Sequence, residues 1–211
     1  MAGSAGFSLN KKVKGDQDQA FRVNPAVGTI SADDGTATYR LTWTNRGATS
    51  LKGSVLYDVF PYSGDTGLLS DNSATSRGST FPVALTSVGA LPAGVTVAYS
   101  TSTNPCRPEV RPDNPSCTDD WPTVPPADLA TVRALRWTNT TTYPFAGSWT
   151  VEFSVRVDQP IGGADTAWNS VAGNATTADA FNSLLLPTEA PKVGIQIAPA
   201  APLAWSKVDG E

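Results

Sequence analysis

Apolar and polar residues alternate with a period of two along most of this chain, the signature of half-buried β-strands. In the run 147–157, Trp149, Val151, Phe153, Val155 and Val157 share one face, while Ser148, Thr150, Glu152, Ser154 and Arg156 take the other. Residues 36–45 repeat the pattern, with Ala37, Tyr39, Leu41 and Trp43 inward and Thr38, Arg40, Thr42 and Thr44 outward. Further strands are predicted over 7–13, 53–60, 81–87, 95–100, 132–137, 167–172 and 192–198. Helical periodicity is confined to one turn near Pro126-Ala-Asp-Leu129. About nine antiparallel strands fit two packed sheets, so the expected fold is all-β: an Ig-like, Greek-key β-sandwich.

The connections carry the Gly, Pro, Asn and Asp that turns need, as in Asp33-Asp-Gly35 and Pro160-Ile-Gly-Gly163. Two of them, 61–80 and 101–126, are too long to be plain hairpins, and long loops in compact domains are often functional. The second holds Cys106 and Cys117 in a Pro-rich stretch. Two cysteines closing a short loop, with no other thiol in the chain, favour a disulfide and an oxidising, extracellular setting over a pair of buried reduced thiols. Residues 1–6 read as a cloning leader, and 7–198 as one sandwich domain. After the stiff Ala198-Pro-Ala-Ala-Pro202, residues 199–211 read as a linker and the opening of a following domain.

Composition narrows the function. The chain has no His, so Ser-His-Asp and Cys-His nucleophile systems, His-bearing zinc sites and imidazole acid–base chemistry are excluded. An enzyme is not expected. A net charge of −4, with 15 basic residues scattered among 211, leaves no electrostatic footprint for nucleic acid or anionic lipid. No apolar run is long enough to insert into a membrane. Charged residues make up only 16% of the chain, against 19 Ser and 25 Thr. That describes a polar, weakly charged surface.

Several strings resemble known surface proteins. Trp205-Ser-Lys207-Val-Asp-Gly210 is similar to the opening strand of the B-type repeat domains of Gram-positive collagen adhesins and backbone pilins, where it supplies a crosslinking lysine. The body resembles the β-sandwich repeat domains of actinobacterial cell-wall-anchored surface proteins. The pieces that carry this are Phe7-Ser-Leu-Asn-Lys11-Lys-Val13, Thr44-Asn-Arg-Gly47, Leu56-Tyr-Asp-Val-Phe-Pro61 with Gly64-Asp65, Tyr99-Ser-Thr-Ser-Thr-Asn-Pro-Cys106, and Trp168-Asn-Ser170 followed by Glu189-Ala-Pro-Lys-Val193. The resemblance implies a structural or adhesive module on the cell surface or in the cell wall. Its partners would be neighbouring domains of the same chain and a host or cell-surface ligand.

Some such sandwiches form an amide bond between Lys and Asn, assisted by a buried acid. Desolvation lowers the lysine pKa so that neutral amine attacks, and the acid shuttles the proton. Strand parity puts Lys11 on the apolar face with Phe7, Leu9 and Val13. It puts Asp58 with Leu56 and Phe60, and Asn169 with Ala167 and Val171, whereas Glu152 points away. A Lys11–Asn169 isopeptide bond with Asp58 as the shuttling acid is therefore the sharp expectation. Against it stand a snorkelling Lys11, a simple Lys11–Asp58 ion pair, and an Asn169 bonded to backbone.

The alternative function is a carbohydrate- or protein-binding module that uses the long loops, with Trp121, Asp119 and Asp120 as the candidate ligand contacts. Asp113, Asp119 and Asp120 would also be the ligands for Ca²⁺, the one cofactor considered, although a solvated loop charge is the preferred reading because no EF-hand spacing is present. Trp43, Trp137 and Trp149 belong to the core by parity.

Overall fold

A computed structural model describes residues 4–157, 161–163 and 165–198. Twelve strands run in chain order: β1 Phe7–Gly15, β2 Val27–Ile30, β3 Thr36–Asn45, β4 Leu51–Val59, β5 Ala84–Val88, β6 Val95–Ser100, β7 Ala134–Asn139, β8 Ser148–Arg156, β9 Ala167–Asn169, β10 Ala172–Thr177, β11 Thr188–Glu189 and β12 Val193–Ile197. Among the described residues the only helical segments are two short 3₁₀ turns, Ser70–Asn72 and Leu129–Thr131. The second is capped by the Asp128 side chain accepting from Ala130 N.

The strands form a four-stranded sheet in the order β1-β3-β8-β5, a five-stranded sheet in the order β11-β10-β4-β7-β6, and a small sheet in the order β2-β12-β9. The two large sheets are antiparallel throughout. The chain crosses between them repeatedly, as from β3 to β4 and from β7 to β8. The all-β sandwich expected from the alternation is thus present, with more strands than the sequence pattern marks.

Parity explains the core. In the β3–β8 pair, Trp43 lies opposite Trp149, Leu41 opposite Val151 and Tyr39 opposite Phe153, all buried. On the outer face the same register pairs Thr42 with Thr150 and Thr38 with Ser154 through 2.9 Å hydroxyl contacts, and Arg40 with Glu152 through an ion pair. Inward rings from the two sheets meet: Phe60 of the five-stranded side stacks on Phe153 at 5.4 Å, and Trp137 packs on Phe153 at 5.7 Å. Burying such large side chains is worth roughly 1.5–3 kcal/mol each, which makes this interface the main source of stability.

Three strands escape the sequence pattern for identifiable reasons. β2 is four residues long and contains Gly28. β11 is two residues long. β10, Ala172-Gly-Asn-Ala-Thr-Thr177, is small and polar, yet nearly all of it is buried. It lies between β11 and β4, so both of its edges are paired. A Cβ at Gly173 would sit 2.4 Å from the Val55 carbonyl oxygen, so glycine lets this strand approach β4 closely. The third sheet is likewise a departure from the two-sheet expectation. β12 pairs antiparallel with β9 and parallel with β2, which no hairpin signal could announce.

The long loops are not free. β4 is buried on both faces from Ser54 to Val59. Its outward residues Val55, Tyr57 and Val59, with Ala134 and Ala172, form a second apolar cluster roofed by Leu68, Val110 and Trp121 from the two loops.

Candidate functional site

Lys11, Asp58 and Asn169 come from three different sheets, on β1, β4 and β9. Lys11 is only 2% exposed, and Asp58 and Asn169 are fully buried. Lys11 Nζ donates to Asp58 Oδ2 in a buried ion pair and, at 3.1 Å, to the carbonyl of Ser170, the residue after Asn169. The ammonium also lies over the Tyr39 ring at 4.7 Å and near the Phe153 ring at 5.5 Å. Lys11 does not snorkel: its neighbours are two rings, one carboxylate and one carbonyl.

Burial lowers the Lys11 pKa to about 8. The Asp58 charge opposes the shift and Arg77 adds to it. Burial also raises the Tyr39 hydroxyl well above its ordinary value, so that ring remains neutral.

The Asn169 amide meets Arg77. Its Oδ1 accepts from Arg77 Nη1 at 3.4 Å, and its Nδ2 has no partner. Asp58 Oδ1 also has none. Orphaned buried polar atoms are uncommon and call for a reason.

Arg77 is itself buried, at 4% exposure. It is fixed by an ion pair to Asp65 at 2.8 Å and by donation to the Val59 carbonyl at 2.9 Å. Asp65 in turn accepts from Ser79 Oγ at 2.8 Å. On the other side, Glu189 accepts from Ser170 Oγ at 2.5 Å, from Leu68 N at 2.9 Å and from Asn72 Nδ2 at 2.5 Å, tying β11 to the loop 61–80. Arg77 and Glu189 were not marked as site residues by parity. Arg77 sits in a polar loop with no periodicity, and its burial follows from the way that loop folds back on β4.

The remaining sequence candidates lie elsewhere. Cys106 and Cys117 form a disulfide with Cα atoms 4.8 Å apart, in the loop over the outer face of the five-stranded sheet. Trp121 supports that loop from within: its Nε1 donates to the Cys106 carbonyl at 2.8 Å, and its ring packs against Tyr57 at 5.6 Å and under Arg136 at 5.1 Å. Asp120 accepts from Ser100 Oγ at 2.5 Å and from Thr101 N at 3.1 Å. Asp119 and Asp113 are exposed. No group of three or more His, Cys, Asp or Glu able to hold a metal ion occurs among the described residues. No helix among them is long and apolar enough to cross a membrane. Lys207 and its string lie outside the described residues.

No family model matches the sequence, and no curated protein matches it. Among solved structures, the chain is similar to BcpA, the major pilin subunit of Bacillus cereus, with a TM-score of 0.46 and 8% identity over 91% of this chain and 40% of that one. It is also similar to the full-length major pilin SpaD from Corynebacterium diphtheriae, with a TM-score of 0.44 and 13% identity over 89% of this chain and 35% of that one. The chain spans about two fifths or less of the length of these pilins.

Proposed function

We propose that this chain is a non-enzymatic, extracellular structural module of a multidomain bacterial surface protein, a stalk or adhesive repeat whose sandwich is stapled by a Lys11–Asn169 amide bond. The observation that supports this reading is the buried Lys11–Asp58 pair, in which Lys11 Nζ also donates to the carbonyl of Ser170, the residue after the buried Asn169. The surface-protein setting rests on the resembling strings and on the disulfide, which suits an oxidising compartment.

The chemistry runs in balance. Asp58 takes a proton from the Lys11 ammonium, and the neutral Nζ attacks Asn169 Cγ. Charge develops on Asn169 Oδ1, where the Arg77 guanidinium already donates. A second Nζ proton passes through Asp58 to the amide nitrogen, the Cγ–Nδ2 bond breaks and ammonia leaves. The product is a secondary amide joining β1 to β9. A low-dielectric site favours each proton transfer because it disfavours the separated charges.

Intact-mass spectrometry tests the reading. One ammonia lost lowers the mass by about 17 Da relative to the sequence with its disulfide closed. A mass equal to the uncrosslinked chain removes the staple, leaving a buried ion pair as the whole content of the site.

A further inference from the structure

Arg77 has a second neighbourhood. A cavity of about 150 Å³, on the side of Arg77 that faces the disulfide loop, is lined by Arg77, Arg107 and Arg111 together with Thr66, Thr103 and Asn104. Neither its lining nor any ion pair among the described residues gives Arg107 or Arg111 an acidic partner. The ion pair that Asp65 makes is with Arg77.

Arg107 is 3% exposed. One of its terminal nitrogens donates to the Pro105 carbonyl at 3.0 Å, and its Nε has no partner. Arg77 Nε is unpartnered too. Two nearly buried guanidinium groups, each with a buried and unpartnered Nε, therefore line one small cavity together with a third arginine. The loop geometry fixes the arrangement: Arg111 N donates to the Arg107 carbonyl at 2.7 Å, and Arg107 and Arg111 pair as a β-bridge.

Such a cluster is costly when empty of negative charge. Each buried idle donor forfeits roughly 1–3 kcal/mol, and the cations repel one another in a medium that screens poorly. The lowering of the Arg107 pKa to about 10, first by burial and then by Arg111 and Arg77, reflects the same crowding. The missing complement is an anion with several acceptor oxygens, which guanidinium forks match in geometry. Size selects further, because pockets for drug-sized molecules run to roughly 300–1,000 Å³, and this one takes only a compact group.

We propose that the cavity between Arg77, Arg107 and Arg111 binds a small tetrahedral oxyanion, a phosphate or a sulfate group. The site shares Arg77 with the proposed amide chemistry, but it needs no bond between Lys11 and Asn169 and stands whether or not the crosslink forms.

Titration calorimetry of the intact chain with sodium phosphate and sodium sulfate, against chloride at matched ionic strength, tests this. Saturable binding of an oxyanion that chloride does not reproduce is expected, and Arg107→Gln and Arg111→Gln should each weaken it by about tenfold or more, the loss of one charge-assisted contact. Arg111 is only partly buried, so Arg111→Gln decides the matter if Arg107→Gln does not fold. A heat signature no different from chloride overturns the proposal, as does a folded variant that binds like the unaltered chain. A sulfated disaccharide in a parallel titration separates the sources of the group. Binding by both probes means that the cavity accepts an oxyanion carried on a larger molecule, and binding by phosphate and sulfate alone means that it takes the free ion.

Discussion

Cys106 and Cys117 are joined on the outside of the five-stranded sheet, across a sequence separation of 11. Lys11 and Asp58 pair inside, where Lys11 also reaches the carbonyl of Ser170, 159 positions away in sequence and next along the chain from Asn169. The first tie orders a loop that already rests on its own apolar cluster. The second, the proposed amide, would join strands of two sheets beside an acid from a third. In the loop-entropy picture the short bridge contributes about 3 kcal/mol and the proposed link across the longer span would contribute about 5 kcal/mol, a smaller contrast in strength than in reach. An outer disulfide steadies one surface feature, whereas an inner amide would hold the first strand to β9 across most of the sequence.

The sharpest way to break this contrast is Lys11→Ala. It removes the proposed amide, worth about 5 kcal/mol by loop entropy, and takes from the buried Asp58 the hydrogen-bond donor that Lys11 Nζ supplies, worth roughly a further 1–3 kcal/mol. Chemical denaturation should register the largest loss of any single change, and the mass should rise to that of an uncrosslinked chain. Asn169→Ala comes next. It keeps the Lys11–Asp58 pair and deletes only the electrophile, so the expected loss is about 5 kcal/mol with the same absence of the 17 Da deficit. If Asn169→Ala has the mass deficit of the unaltered chain, the amide partner is another residue.

This site was legible in the sequence to the extent that alternation is legible. Lys11, Asp58 and Asn169 each sit in a strand whose parity reads inward, and the structure buries all three. What parity cannot convey is which strands are neighbours. The meeting of β1, β4 and β9 depends on the small third sheet, whose strands are short and whose β2–β12 pairing is parallel between segments distant in sequence. Arg77 was illegible for a different reason: its burial is decided by a loop docking on the second face of β4. The same docking turns Trp121 and Asp120 inward to hold their own loop, through Cys106 O and Ser100 Oγ respectively. A loop rich in Pro and Asp reads as solvated until the apolar surface beneath it is known.

Replacing both cysteines, Cys106→Ser with Cys117→Ser, probes the outer tie. The expected loss is up to about 3 kcal/mol, and hydrogen exchange should quicken in the loop 101–126 and at Trp121, with β1 and β9 unchanged and the mass deficit of the amide retained. Quickened exchange at β1 would mean that the two ties are one cooperative unit, and the contrast between them would dissolve.

The smallest effect is a dependence on pH, and it needs the Asn169→Ala variant, in which Lys11 keeps a free amine. The folded Lys11 pKa is about 8, lowered from 10.5 by burial. Between those values the unfolded chain binds more protons than the folded one, so unfolding free energy rises with pH. Below about pH 8 both states hold the proton, and the folded state bears the full penalty of a desolvated ammonium. From pH 8 to 10 that penalty is progressively relieved, by a few kcal/mol at most. Arg107, lowered to about 10, acts in the same direction only above that pH. Tyr39 and Tyr57, both raised by burial, act in the opposite direction once unfolded tyrosines begin to ionise near pH 10. The window from 8 to 10 thus belongs to Lys11. Urea unfolding of Asn169→Ala across it should show stability rising, and the rise should vanish when Lys11→Met is added. A flat profile in Asn169→Ala would mean that Asp58 and the Ser170 carbonyl hold the ammonium as well as water does, leaving little neutral amine to attack Asn169 at neutral pH.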